Sequence, residues 1–154
     1  RGQMMRIGRG LYVRPVESRF GKRAPSASRV VENIAHVTGE AIAPHGAAAA
    51  NKLGLTTQVP VRAVYLTSGR SRRLKFGSQV VELRHAPPWQ FALGSQSSGD
   101  VLRALAWLGP EKAGAALRTL KRKLSASELQ AIVAARAALP SWLARQVSEV
   151  VVNG

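Results

Sequence analysis

The sequence predicts an α/β (α+β) protein, and three observations carry that expectation. A short run of alternating apolar and basic residues surrounds Gly8-Arg9-Gly10 near the start. Between residues 40 and 85, brief β-rich runs are punctuated by Gly and Pro. From Ser97 onward, apolar residues recur at helical spacing. The expected order is a basic N-terminal piece over residues 1–23, then a domain over 24–154. That domain divides into an α/β part (24–96) with a small sheet and a helical part (97–154).

Each element has a local reason. Residues 4–13 read as a hairpin, with Met5, Ile7, Leu11 and Val13 apolar and the Gly-Arg-Gly string as its turn. Residues 16–25 read as a linker. Pro25 and Ser26 open a helix to about Thr38, with Val30, Val31, Ile34 and Val37 as its stripe and Gly39 as its stop. Residues 40–44 are β-like. Residues 46–53 form a short helix whose four consecutive alanines favour helix and permit close approach, with Gly54 as a left-handed stop. Pro60 bars further helix, and residues 61–67 are apolar on both faces, as in a buried strand. The Ala-rich helix is expected to brace that strand. Residues 74–76 and 80–85 pair across Gly77-Ser78, and Pro87-Pro88 ends the β region.

Four helices follow. Ser98 or Gly99 caps the first, which holds Val101, Leu102, Leu105 and Leu108. Pro110 starts the second, with Ala113, Leu117, Leu120 and Leu124 inward. Ser125 and Glu128 make a capping box for the third. Pro140 begins the last, with Trp142, Leu143, Val147 and Val150 on one side.

At 154 residues the chain has the size of one ordinary domain, and 45% hydrophobic residues suit a globular protein. The net charge of +15 implies a polyanionic partner, nucleic acid ahead of an anionic membrane surface. No cysteine is present, so disulfides, thiolate metal ligands and thiol catalysis are excluded. No apolar run reaches the ~20 residues of a membrane span, and no secretory signal is visible, so the cytoplasm is the expected compartment. The chain opens on Arg1 in mid-pattern, so further sequence is expected before it.

The densest charge lies in residues 1–23, where seven cations face one acid, Glu17. Arg6, Arg9, Arg14, Arg19, Lys22 and Arg23 are the candidate nucleic-acid contacts. Cations beside a Gly-tipped turn suit the wing of a winged helix laid along phosphates; an ordinary solvated hairpin is the alternative. Arg70, Arg72, Arg73 and Lys75 form a second basic patch, suited to phosphate, RNA or an acidic partner, or simply a solvated face. Arg118, Lys121, Arg122 and Lys123 read as a solvated helix face. His36, His45 and His85 are too scattered for a metal site, and His45 is placed to cap the Ala-rich helix. Ser68, Asp100 and Glu40 offer no nucleophile–base spacing, and no Walker or dinucleotide Gly loop is present. Neither an enzyme nor a cofactor is expected.

Several strings carry a resemblance. His-Gly-Ala-Ala-Ala-Ala-Asn-Lys-Leu-Gly-Leu-Thr-Thr-Gln-Val-Pro (45–60) precedes Val-Tyr-Leu-Thr-Ser-Gly-Arg-Ser-Arg-Arg (64–73). Gly-Arg-Gly-Leu-Tyr-Val-Arg-Pro (8–15) and Leu-Pro-Ser-Trp (139–142) stand in the corresponding order. Together they resemble the AbiEi-type antitoxins of bacterial type IV toxin–antitoxin systems. The resemblance implies an N-terminal winged helix, here cut back to its wing, that binds the operator DNA of its own operon. It also implies a C-terminal domain that counters a nucleotidyltransferase-like AbiEii toxin encoded alongside. The chain departs from the family pattern in lacking the helix-turn-helix itself. Two alternatives accompany that reading: a stand-alone winged-helix regulator, and a basic RNA-binding module using Arg70 to Lys75.

Overall fold

In a computed structural model, residues 26–60 and 62–154 are described, together with the backbone pairing of four short strands earlier in the chain. Those strands are β1 (Met5–Arg6), β2 (Tyr12–Val13), β3 (Val16–Ser18) and β4 (Gly21–Arg23). β1 pairs antiparallel with β2, setting Met5 opposite Val13, as the hairpin reading requires. β3 pairs antiparallel with β4 in the stretch read as a linker, so that reading is corrected: Glu17 stands opposite Lys22 in a second ribbon. Alternation over only three residues on each side is too short a pattern to announce a strand in sequence.

The α/β class is what the structure shows, as two compact units. One takes residues 1–42 and 61–86, the other 43–60 and 87–154. Residues 43–60 therefore group with the C-terminal helices, although the sequence reading kept them with the sheet.

The first unit packs one helix on a small sheet. α1 (Ala27–Thr38) starts at Ser26, whose hydroxyl accepts from the Arg29 N–H at 3.4 Å, and ends at Gly39 with φ 76°. Val30, Val31 and Ile34 form its buried stripe. The sheet comprises β5 (Ile42–Pro44), of which only Ile42 belongs to this unit, with β6 (Ala63–Thr67), β7 (Arg72–Phe76) and β8 (Gln79–His85), in the order β5-β6-β8-β7. β6 and β8 run parallel, and β7 and β8 are antiparallel across the Gly77-Ser78 turn. β8 thus fills the place between two strands that precede it. Leu74, Phe76, Val81 and Leu83 meet Val30, Val31 and Ile34 to form the core. Each such side chain contributes about 1.5–3 kcal/mol of burial before entropy is counted.

The second unit is helical. α2 (Gly46–Lys52) is capped as expected by His45, whose Nδ1 accepts from the Ala47 N–H at 3.1 Å. α3 (Ser97–Leu108), α4 (Pro110–Lys121), α5 (Ala126–Ala134) and α6 (Ser141–Val147) follow, with a π turn over Ser148–Val152. Leu102, Leu105, Leu117, Leu120, Ile132 and Leu143 anchor their shared core. The Ser125–Glu128 capping box is formed. The start of α3 differs from expectation. Gln96 is its cap residue, and Ser98 and Gly99 are buried in its first turn. A Cβ on Gly99 would meet the Gly94 carbonyl, so the chain needs Gly there for packing rather than capping.

The partner of the Ala-rich helix also corrects the sequence reading. α2 packs on α3, where Ala49 and Ala50 bury against Ala104. A Cβ on Gly46 would stand 2.5 Å from the Arg103 carbonyl and 2.6 Å from Trp107 Cβ. A small-residue face finds its match in another helix that offers backbone at close range. Ala50→Leu and Gly46→Ala should each destabilise by about 1–3 kcal/mol through overpacking, whereas Ala126→Leu, at an exposed position, should stay within about 0.5 kcal/mol of wild type. Thermal melts of the three variants check this; equal melting temperatures would mean that the helix pair is loosely packed.

Candidate nucleic-acid interface

The basic residues between 70 and 75 do not form one patch. Alternation along β7 turns Arg72 to the face of buried Leu74 and Phe76, and sends Arg73 and Lys75 to the other face. The two faces hold different chemistry.

On the core side, Arg72 is committed to Glu40. Its Nη2 donates to Glu40 Oε2 at 2.8 Å and its Nη1 to Oε1 at 3.1 Å. The Arg72 and Glu40 side chains are only 18% and 16% exposed. The Thr67 hydroxyl donates to the same carboxylate at 2.5 Å and accepts from the Gly69 N–H at 3.0 Å. Arg72 Nη1 also donates to the Arg70 carbonyl at 2.8 Å. These bonds fasten residues 68–71, which carry the chain from β6 over the end of β8 to β7. The far side of that crossing is tied to β8. The His85 N–H donates to Ser71 Oγ, and His85 Nδ1 donates to the Gly69 carbonyl, both at 2.8 Å. Ala41 and Ser68 exchange a further pair of bonds, each of 2.9 Å. A Cβ on Gly69 would collide with the Glu40 carboxylate, so Gly is required by close approach.

The Arg72 hydrogen bonds hold the Glu40 carboxyl below its ordinary value of 4.5, against the opposing effect of burial, with help from Thr67 and Thr38. A carboxylate so depressed stabilises the fold above pH 4.5 and loses that contribution as the pH falls through its lowered value.

On the opposite face, register sets Arg73 beside Glu82 and Lys75 beside Val80. Glu82 accepts from Arg84 Nε at 2.7 Å, with Arg62 and Arg73 at 3.8 and 4.0 Å. The Arg84 hydrogen bond, aided by the charges of Arg73 and Arg62, lowers the Glu82 pKa. The Arg62 and Arg73 side chains are 70% and 71% exposed. No hydrogen bond or ion pair among the described residues engages Lys75. An open groove of about 730 Å³ is lined by Ser26, Arg62, Arg73, Gln79, Val80 and Glu82.

The remaining expected residues are dispersed. Arg6 lies in β1, and Lys22 and Arg23 in β4; Arg9, Arg14 and Arg19 lie outside the described residues. Arg70 is exposed on the crossing segment. Arg118, Arg122 and Lys123 are exposed, while Lys121 Nζ donates to the Val150 and Gly154 carbonyls at 3.0 and 2.9 Å. Sequence reasoning passed over Arg62 and Arg84. The β8 alternation placed Arg84 with Glu82 on the face away from Val81 and Leu83, but only register brings Arg62 to them. Among the described residues there is no group of three His, Cys, Asp or Glu able to hold a metal, and no helix long and apolar enough to cross a membrane.

Replacing Glu40 by Gln should destabilise the protein by about 1–3 kcal/mol at neutral pH, because Arg72 would be left half-buried without its charge partner. The gap to wild type should narrow as the pH is lowered below 4.5, where wild type loses the same carboxylate. Denaturant titrations at several pH values measure it; a gap independent of pH would remove the ion pair as its source.

Compared with known proteins, residues 1–129 match a family model described as "Family of unknown function (DUF6088)". No curated protein and no solved structure matches the chain.

Proposed function

The chain belongs to DUF6088, a family of unknown function, and we propose that it binds DNA without catalysing a reaction, as an antitoxin and regulator of the AbiEi type. In this reading the protein works in the cytoplasm. It opposes a nucleotidyltransferase-like toxin encoded next to it and, in full-length form, represses its own operon by binding DNA. It needs no cofactor.

The observation that carries the DNA half is the placing of charge. Seven of the 23 Lys and Arg residues lie in residues 1–23, where β1 pairs with β2 and β3 with β4. A two-stranded ribbon carrying cations is a shape that follows a phosphate backbone or enters a groove. The antitoxin half rests on the sequence resemblance carried by residues 8–15, 45–73 and 139–142.

Two experiments test the two halves separately. Changing Arg6, Arg9 and Arg14 to Ala in the full chain should weaken binding to every DNA sequence tried. The slope of log K against log salt should flatten by roughly one per lost phosphate contact. Gel shifts at several salt concentrations measure both, and unchanged affinity and slope would refute the DNA half. Co-expression with the neighbouring nucleotidyltransferase should restore growth; continued growth arrest despite soluble protein would refute the antitoxin half.

A further inference from the structure

We propose that the face of β7 and β8 turned away from α1 is a second surface for the DNA backbone, formed by Arg62, Arg73, Lys75 and Arg84. This inference rests on the DNA-binding reading above; it keeps Arg73 and Lys75 of the patch read at 70–75, removes Arg72, and adds Arg62 and Arg84 from neighbouring strands.

Three observations carry it. Four cations share this face with one carboxylate, Glu82, so the surface keeps a net charge of +3. Only Arg84 is fully engaged by Glu82, at 2.7 Å. Arg62 and Arg73 stand at 3.8 and 4.0 Å with most of their side chains in solvent, and Lys75 is unengaged among the described residues. Among the described residues nothing but Glu82 engages Arg62 and Arg73, and Glu82 orients the guanidinium groups about itself, leaving their solvent-facing donors turned outward. The groove beside them has hydroxyl and amide groups at Ser26, Ser78 and Gln79, which are ordinary donors to phosphate oxygens.

The third observation is chain continuity. Ser26 lines the groove, and Arg23, the last of the seven N-terminal cations, stands three residues before it. Three residues span at most ~11 Å. Arg23 is thus tethered within that distance of the groove's rim. A double-stranded backbone, with one charge per ~1.7 Å of axis, is the occupant that a spread of solvent-facing guanidinium groups suits. A compact anion would call for convergent, buried donors.

The test uses the full chain and a duplex of the DNA upstream of its own gene, with anionic vesicles in parallel. One variant changes Arg62, Arg73 and Lys75 to Ala, leaving Arg84 to hold Glu82. A second, matched in charge, changes the exposed Lys112 and Arg118 of α4 and Arg122 at its C-terminal cap to Ala. Circular dichroism melts establish that both fold. The sheet variant should flatten the salt slope by about 2–3, at ~0.9 per lost contact, and the α4 variant should leave it as in wild type. The sheet variant combined with Arg6, Arg9 and Arg14 to Ala should lose more than either set alone.

A sheet variant with the wild-type slope would overturn the proposal, as would an equal loss in the α4 variant, which would reveal a mere effect of net charge. Loss of vesicle binding alone, with DNA binding intact, would overturn it in favour of a membrane surface. Each of these outcomes leaves the N-terminal DNA reading standing. Failure of the wild-type chain to bind the duplex at low salt would sink both.

Discussion

The Glu40–Arg72 ion pair fixes the path of the chain on which the sheet depends. β6 and β7 are consecutive, yet β8 lies between them, so residues 68–71 must step across the end of a strand that comes later. A four-residue crossing has little apolar surface with which to hold itself. Here it is held by polar bonds instead: Thr67 and Arg72 at its two ends converge on one carboxylate, and Gly69 gives that carboxylate room. The pair is half-buried, where a charge without its partner is costly. Glu40 also follows directly from the α1 stop at Gly39, so the helix end and the strand crossing share an anchor.

Much of this fold was legible in the sequence because its signals are local. Ser26, Gly39, His45, Gly54 and the Ser125–Glu128 pair act at the positions where their chemistry predicts helix boundaries. The apolar periods identify Val30, Val31 and Ile34 of α1 and most core residues of the C-terminal helices, but Val37, read into the same stripe, is 58% exposed in the last turn of α1. What stayed hidden depends on partners distant in sequence. Four alanines announce a helix that approaches something closely, but not that α3 rather than β6 is the neighbour. Ser98 and Gly99 resemble caps in isolation, and only the nearness of Gly94 reveals a packing role.

The basic patch illustrates the same limit. Arg70, Arg72, Arg73 and Lys75 are neighbours along the chain, and a period of two already separates Arg72 from the others. That Arg72 would be consumed by Glu40, and that Arg62 and Arg84 would take its place, needs the sheet register, a long-range property. β7 is also an edge strand, and outward cations at an edge discourage pairing with a second copy. The same side chains therefore serve solubility whether or not DNA lies on them.

The gap that β6 and β7 leave for β8 has a consequence for how the chain assembles during synthesis. β6 leaves the ribosome before its parallel neighbour exists, and cannot gain it until residue 85 has been made. The β7–β8 hairpin, by contrast, joins strands only two residues apart and carries a low cost of loop closure. The edge that receives β6 is one side of β8, so the register of the parallel pair is inherited from a hairpin completed first. Until then the β6 edge that β8 will take is open, and Val64, Tyr65 and Leu66 are available for wrong pairing.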